Sequence, residues 1–489
     1  MIPVLLIVIP LLSGLVTFFI KNEKGAKNWA LLSAVITLLV SLLGITVLKA
    51  DHYLHTDVKW LADLGSRFTV GLDGMGQVLC LLTAISFPVI FVATWNNSYK
   101  SAHNFFALML LMQAGLMGVF VAMDALLFYF FWELALIPAY FLCSQWGGEK
   151  RIAVTFKFFI YTFVGSLLML VGIIYVYFHT ADRSFSLQSF YSASLSYPSQ
   201  NWIFWLFFIA FAVKMPLFPF HTWQPDTYEQ SPTATTMVLS GVMVKMGVFG
   251  VIRWLAPVVP VGTWAWGDTA ATLCVIGMIY ASLIAIQQDD LKRLVAYSSI
   301  AHIGLMGLAL FVPSNAGMQG VMVQMFNHGI NIIGLWIVVE LIERQFHTRK
   351  ISELGGIAQK APGLAILLVI VALANVALPL TNAFIGEFLM FTGVFTSEAS
   401  KYNQIFTVVG GISIILSAVY TLNMIQKVFY GNTSAITAQA RDIRFNEKLV
   451  LGILVIVIVV MGVYPKPLME ITQGTVDTIF SKMFIKSGQ

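Results

Sequence analysis

Apolar runs recur along the whole chain, divided only by short polar connections. A run of about 20 apolar residues crosses about 30 Å of hydrocarbon as a helix, so the pattern predicts an all-α polytopic membrane protein. The spans fall at 2–20, 28–48, 76–95, 104–122, 125–146, 153–178, 202–224, 232–256, 269–287, 294–312, 317–343, 362–395, 405–429 and 447–464, fourteen transmembrane helices in all. Connections after odd-numbered spans carry fifteen Lys and Arg against eight on the opposite side, which predicts both termini outside. No basic residue precedes the run 2–20, whereas Lys21, Lys24 and Lys27 follow it, the reverse of a cleavable signal peptide. It reads as the first span.

No linker divides the chain, so residues 1–489 form a single membrane domain. The longest polar connections, near 49–75 and 179–201, are expected on the outer face. Helix breakers organise the domain further. Pro216 and Pro219 interrupt the seventh span in IAFAVKMPLFPFHTW, and Pro379 interrupts the twelfth in VALPLTNAFIGEF. Two broken spans five helices apart predict a pair of five-helix repeats, and an odd number of helices inverts the second copy in the membrane. The expected division is 1–95 for helices 1–3, 104–256 for the first repeat (helices 4–8), 269–429 for the second (helices 9–13) and 447–464 for the last helix. Secondary transporters place ion sites at such breaks, where unpaired backbone groups face ions or water.

Composition narrows the chemistry. The chain is 58% hydrophobic and 10% charged, against roughly 25% charged in soluble domains. A net charge of +5 carried by loops is no nucleic-acid footprint. Cys80, Cys143 and Cys274 lie singly in apolar segments, without the paired spacing of a metal site, an iron–sulfur cluster or a disulfide framework. Neither a P-loop nor a Gly-rich nucleotide fingerprint is present.

Four ionisable residues stand near the middle of spans: Glu133, Lys214, Lys245 and Glu387. Unpaired, they would cost on the order of 10 kcal/mol, so they must pair, neutralise or meet water. Arg253 and Lys427 lie near span ends, where snorkelling is expected, while for Lys157, five residues into its span, snorkelling and function are both open. In the eleventh span Gln324, Asn327, His328 and Asn331 fall on one helix face, and His302 is central in the tenth. Two histidines on adjacent spans, among lysines and a glutamate, point to a proton relay. His221 and Asp226 are candidate caps of the broken helix. A carboxylate beside a buried lysine holds its proton, and withdrawing the carboxylate favours release. Glu133 and Lys214 suit such a gate.

The segments FFWELALIPAYFL, FAVKMPLFPFHTWQPDTYEQSPTATTMVLSGVMVKMGVFGVIR, QQDDLKRLVAYSSIAHIG, FNHGINIIGLW and FIGEF resemble the antiporter-like subunits of respiratory complex I, a family related to multisubunit Na+/H+ antiporter subunits. The resemblance spans roughly residues 104–429. Glu387, where other branches carry lysine, and a tail of about 25 residues after the last span, too short for a long lateral helix, make the M-type branch the most similar.

The resemblance implies fourteen helices with inverted repeats and an ion pair between Glu133 and Lys214. It makes Lys245 the next carrier, His302 and His328 central relays, and Glu387 the terminal carrier. It also implies a bacterial inner membrane, two homologous antiporter-like neighbours, and NAD, FMN, iron–sulfur clusters and quinone in partner subunits, with no cofactor or metal in this chain. A subunit of a cation/proton antiporter is the alternative. The chain departs from the family at Leu380, where glycine is usual after the proline, and at Tyr228–Glu229, where many members carry histidine.

Overall fold

In hydrocarbon every backbone N–H and C=O must be satisfied within the protein, and a helix does this along its own axis. The computed structural model, which describes residues 1–484, is accordingly a bundle of helices. In chain order they are α1 (Ile2–Thr17), α2 (Glu23–Thr46), α3 (Gly74–Ala93), α4 (Ala102–Val121), α5 (Ala125–Trp146), α6 (Arg151–Phe178), α7 (Tyr197–Lys214) and α8 (Trp223–Gln230). There follow α9 (Thr233–Leu255), α10 (Pro260–Ile286), α11 (Leu291–Phe311), α12 (Asn315–Phe346), α13 (Pro362–Asn375), α14 (Asn382–Thr396), α15 (Asn403–Val428), α16 (Phe445–Val463) and α17 (Lys466–Phe484). Among the described residues, eleven helices are long and apolar enough to cross a membrane, and α1, α13 and α14 are shorter apolar helices.

The centre is built from α9, α11 and α12, which are enclosed nearly all round, whereas α2, α15 and α16 expose apolar faces such as Leu39, Ile415 and Ile456. Small residues allow the central helices to approach closely. A Cβ at Gly393 would lie 2.3 Å from the Gly317 nitrogen, and one at Gly386 would lie 2.4 Å from Gln324 Oε1. Only glycine permits this α12–α14 contact, which brings the polar stripe of α12 against Glu387.

Helical hydrogen bonding stops at both proline positions. α7 ends at Lys214 and the helix resumes at Trp223. Pro216 has no N–H to give, so carbonyls of the last turn are left open. Met215 N and Leu217 N donate to the carbonyls of Phe211 (2.8 Å) and Ala212 (2.9 Å), and Trp223 Nε1 donates to that of Val213 (3.0 Å). The second break separates α13 from α14, with Ala377 (φ 58°) and Leu380 (φ 73°) in the left-handed region. Here Asn331 Nδ2 donates to the Ala374 carbonyl at 3.2 Å. α9 is also irregular: Leu239–Met243 and Val251–Leu255 are widened π-turns, marked by Val244 N donating to Leu239 O at 3.2 Å.

Two elements lie outside the sequence-based expectation. The connection before α3 forms an antiparallel ribbon, β1 (His55–Leu61) with β2 (Ser66–Gly71), tied by Arg67 to Asp57 at 2.7 Å. After α16, α17 lays Leu468, Thr472, Val476, Ile479 and Met483 against the bundle. It is fixed by Thr475 Oγ1 accepting from Gly74 N (3.0 Å) and by Gln319 Nε2 donating to Thr472 Oγ1 (2.8 Å).

Candidate functional site

The breaks and the close α12–α14 packing place the ionisable residues. Lys214 is the last residue of α7 and is buried, and its Nζ has no hydrogen-bond partner. It lies over the ring of Trp132, 5.4 Å from the centroid. A ring face attracts a desolvated cation, so Trp132 supplies part of what water would. Glu133, the next residue on α5, is half-buried; its Oε1 is shielded and unpartnered. The expected ion pair is therefore open, with no contact within 4.0 Å, although the carboxylate is near enough to attract the ammonium.

Lys245 makes the contacts that Lys214 lacks. Its Nζ lies 2.9 Å from the Ser240 carbonyl and 2.8 Å from His328 Nδ1, with no carboxylate in the set. The widened turn at Leu239–Met243 presents the Ser240 carbonyl to the side chain; such turns recur at functional positions. From Lys245 a line of polar groups crosses the second half of the bundle. His328 Nε2 is 3.3 Å from Ser299 Oγ, and the His328 and His302 rings are 5.9 Å apart. His302 Nδ1 is hydrogen-bonded to Glu387 Oε1 at 3.0 Å, and Gln324 Nε2 donates to the same oxygen at 3.4 Å. His302 and Glu387 border a cavity of about 10 Å³ that also touches Ser413 and Ser417 of α15. All four ionisable members are buried. An imidazole can accept a proton on one nitrogen and release one from the other. Here the Lys245–His328 and His302–Glu387 pairs face each other across the 5.9 Å between the rings, and His302 Nε2 has no partner.

Of the predicted residues, Lys245 with His328 and His302 with Glu387 form two hydrogen-bonded pairs whose imidazoles lie 5.9 Å apart, while Glu133 and Lys214 form a separate, open pair. Ser240, Ser299 and Trp132 were missed. Serines are common in such helices, and only Trp132, beside Glu133 in FFWEL, offered a signal.

Three readings of the flanking charges need correction. Arg253 does not snorkel; it is buried, with its Nη2 2.6 Å from Asp73 Oδ2. α9 is enclosed to its end, and the carboxylate that caps α3 balances the charge. Asp226 does not cap α8 but pairs with Lys157 (2.9 Å) and Arg293 (3.1 Å). His221 makes no cap bond either, its ring packing against Phe218 and Tyr280. Lys427 is exposed near the end of α15, as expected for a snorkelling side chain.

A helical membrane bundle with two interrupted helices and a buried line of lysine, histidine and glutamate has the build of ion-coupled membrane transport proteins. The chain belongs to the family described as NADH:quinone oxidoreductase/Mrp antiporter, TM, whose pattern matches residues 122–417. It is 33% identical to NADH-quinone oxidoreductase subunit M of Rickettsia typhi (97% of this chain and 98% of that one). It is 35% identical to subunit M of Rhodobacter capsulatus (91% and 88%). F(420)H(2) dehydrogenase subunit M of Methanosarcina mazei is 33% identical (98% and 99%). The structure superimposes on a chain of respiratory complex I from Thermus thermophilus with TM-score 0.89 and 27% identity, covering 98% of this chain and 100% of that one. A chain of the Mrp complex from Dietzia sp. DQ12-45-1b shares the fold, with TM-score 0.85 at 20% identity, covering 97% and 52%.

Proposed function

We propose that this chain is a proton-translocating membrane-arm subunit of an NADH:quinone oxidoreductase, of the M type, with Glu133, Lys214, Lys245, His328, His302 and Glu387 as its proton-transfer residues. The observation that carries the proposal is the buried line from Lys245 Nζ through His328 and His302 to Glu387. Burying ionisable groups is expensive, and two hydrogen-bonded pairs of them with their imidazoles 5.9 Å apart offer stepping stones that an apolar core would not.

On this reading the protein has fourteen crossings, with α7–α8 and α13–α14 as the broken seventh and twelfth helices of two inverted repeats. Closure of Glu133 onto Lys214 holds the lysine's proton. Withdrawal of the carboxylate, the arrangement seen here, favours its transfer toward Lys245 and the histidines. Redox energy arrives from partner subunits that hold NAD, FMN, iron–sulfur clusters and quinone, and two homologous antiporter-like subunits are the neighbours. The relatives' names fit this division, since subunits M occur with NADH-quinone oxidoreductase and with F(420)H(2) dehydrogenase alike. The setting is the bacterial inner membrane, with both termini outside.

Lys214→Ala in the assembled complex tests the assignment. Proton pumping and quinone reduction are expected to fall together, by about tenfold or more if proton transfer is rate-limiting. Wild-type rates of both would remove Lys214 from the path. Lys427→Ala should leave both nearly unchanged. Sodium-dependent proton exchange by a complex lacking flavin and iron–sulfur subunits would instead favour the cation/proton antiporter reading.

A further inference from the structure

On the face richer in Lys and Arg, away from the proton path, a cavity of about 430 Å³ opens between the end of α12, the start of α13 and the loop leading into α16. Three arginines line it: Arg344, Arg441 and Arg444. Two carboxylates line it as well, but both are committed elsewhere. Glu447 is buried; one oxygen pairs with Arg344 Nη2 and the other accepts from Arg444 N at 2.8 Å. Asp442 accepts from the backbone N–H of Gly363 (3.2 Å), Leu364 (3.1 Å) and Ile443 (2.9 Å), and Lys448 lies 3.4 Å away.

The guanidinium groups of Arg441 and Arg444 have no ion-pair partner among the described residues, and both arginines are exposed. Arg344 keeps a buried Nη1 without a partner. Gln345 Nε2 donates to the Arg441 carbonyl at 2.8 Å, which fixes the loop to α12. The cavity thus has fixed walls and an excess of unmatched fork-shaped donors, the chemistry that binds phosphate oxygens in pairs.

What lies beside the cavity points to the source of the phosphate. Phe445 is 80% exposed and begins α16; Leu449, Ile453, Ile456 and Val460 continue the same exposed stripe along the helix. An apolar stripe starting at an arginine cluster matches a molecule with an anionic head and long hydrocarbon tails. We propose that this cavity binds the phosphodiester headgroup of an anionic phospholipid from the leaflet on the basic face, its acyl chains lying along α16. Basic pockets between membrane helices are suited to such headgroups.

The test is native mass spectrometry of the intact complex, released from nanodiscs of mixed phosphatidylglycerol and phosphatidylcholine, with a photoreactive residue at Phe445 in a parallel sample. Wild type should retain phosphatidylglycerol over phosphatidylcholine and crosslink to lipid. Arg441→Gln with Arg444→Gln should weaken retention about fivefold for each arginine. Arg441→Lys with Arg444→Lys keeps the charge without the paired donors and should restore only part of it, which separates lost charge from lost folding. Equal retention by wild type and the glutamine variant would overturn the proposal. So would a crosslink to protein alone, or displacement by inorganic phosphate without any preference between the two lipids, which would identify a free anion as the occupant.

Discussion

Lys245 is fully buried with a carbonyl and an imidazole as partners and no carboxylate. Its Nζ lies 2.8 Å from His328 Nδ1, so on the proposed path His328 is the first acceptor for a proton leaving the lysine. His328→Leu keeps the volume of the site but removes both nitrogens, so the line is cut between α9 and α11. Pumping by the assembled complex should fall by about tenfold or more, with assembly intact on native gels. Trp132→Leu removes the ring face over Lys214 without touching Glu133. If the indole stabilises the ammonium by about 1–2 kcal/mol, the variant should shift the pH profile of pumping toward lower pH, because the lysine then gives up its proton more readily. An unshifted profile would mean the indole is only packing.

At the scale of the element, helix breaks were legible and the contacts across them were not. Pro216 and Pro379 mark interruptions, each removing a backbone N–H beside a central charge or polar segment, whereas Pro88 and Pro138 are absorbed within the continuous α3 and α5. Sequence spacing, however, relates residues only within one helix, so the four-residue step from Gln324 to His328 was readable while the open Glu133–Lys214 geometry was not. The C-terminal helix shows the opposite failure. Leu468, Thr472, Val476, Ile479 and Met483 recur every three or four residues, but Lys466, Glu470, Asp477 and Lys482 dilute the segment below the hydropathy of a span. The ribbon β1–β2 was hidden because two short strands carry little of the alternation that longer ones show.

Leu380 tests a break directly. It adopts φ 73°, a conformation that costs a non-glycine residue roughly 1–2 kcal/mol. Leu380→Gly should therefore raise the thermal stability of the purified protein, less a fraction regained by the freer unfolded chain. A lower melting temperature would show that the exposed leucine side chain contributes more than the backbone strain costs. Gly386→Ala probes the facing contact. Its Cβ would meet Gln324 Oε1 at 2.4 Å, so Gln324 must leave Glu387, and activity should drop even though the added group is a single methyl.

Across the whole molecule, charge is arranged in two layers. At mid-depth the polar line runs between the halves with few counter-charges. At the basic face the halves are fastened by a network in which Arg293 bridges Asp226 and Glu229, Arg349 reaches Glu229 at 2.9 Å and Glu343 at 3.2 Å, and Lys292 pairs with Glu343 at 2.7 Å. Asp226 and Glu229 belong to α8, immediately after the first break, while the basic residues follow from α11 and the end of α12. These ion pairs join α8 to α11, which carries His302, and to the segment after α12, which carries His328.

On the proposed path, protons leave through Glu387 after passing the histidines. Glu387→Gln in the reconstituted complex, scored as protons pumped per NADH oxidised alongside the rate of quinone reduction, tests it most directly. A proton path through Glu387 predicts a marked fall in pumping, because glutamine can hydrogen-bond His302 but cannot carry its proton. Pumping per NADH and turnover both at wild-type values would contradict it.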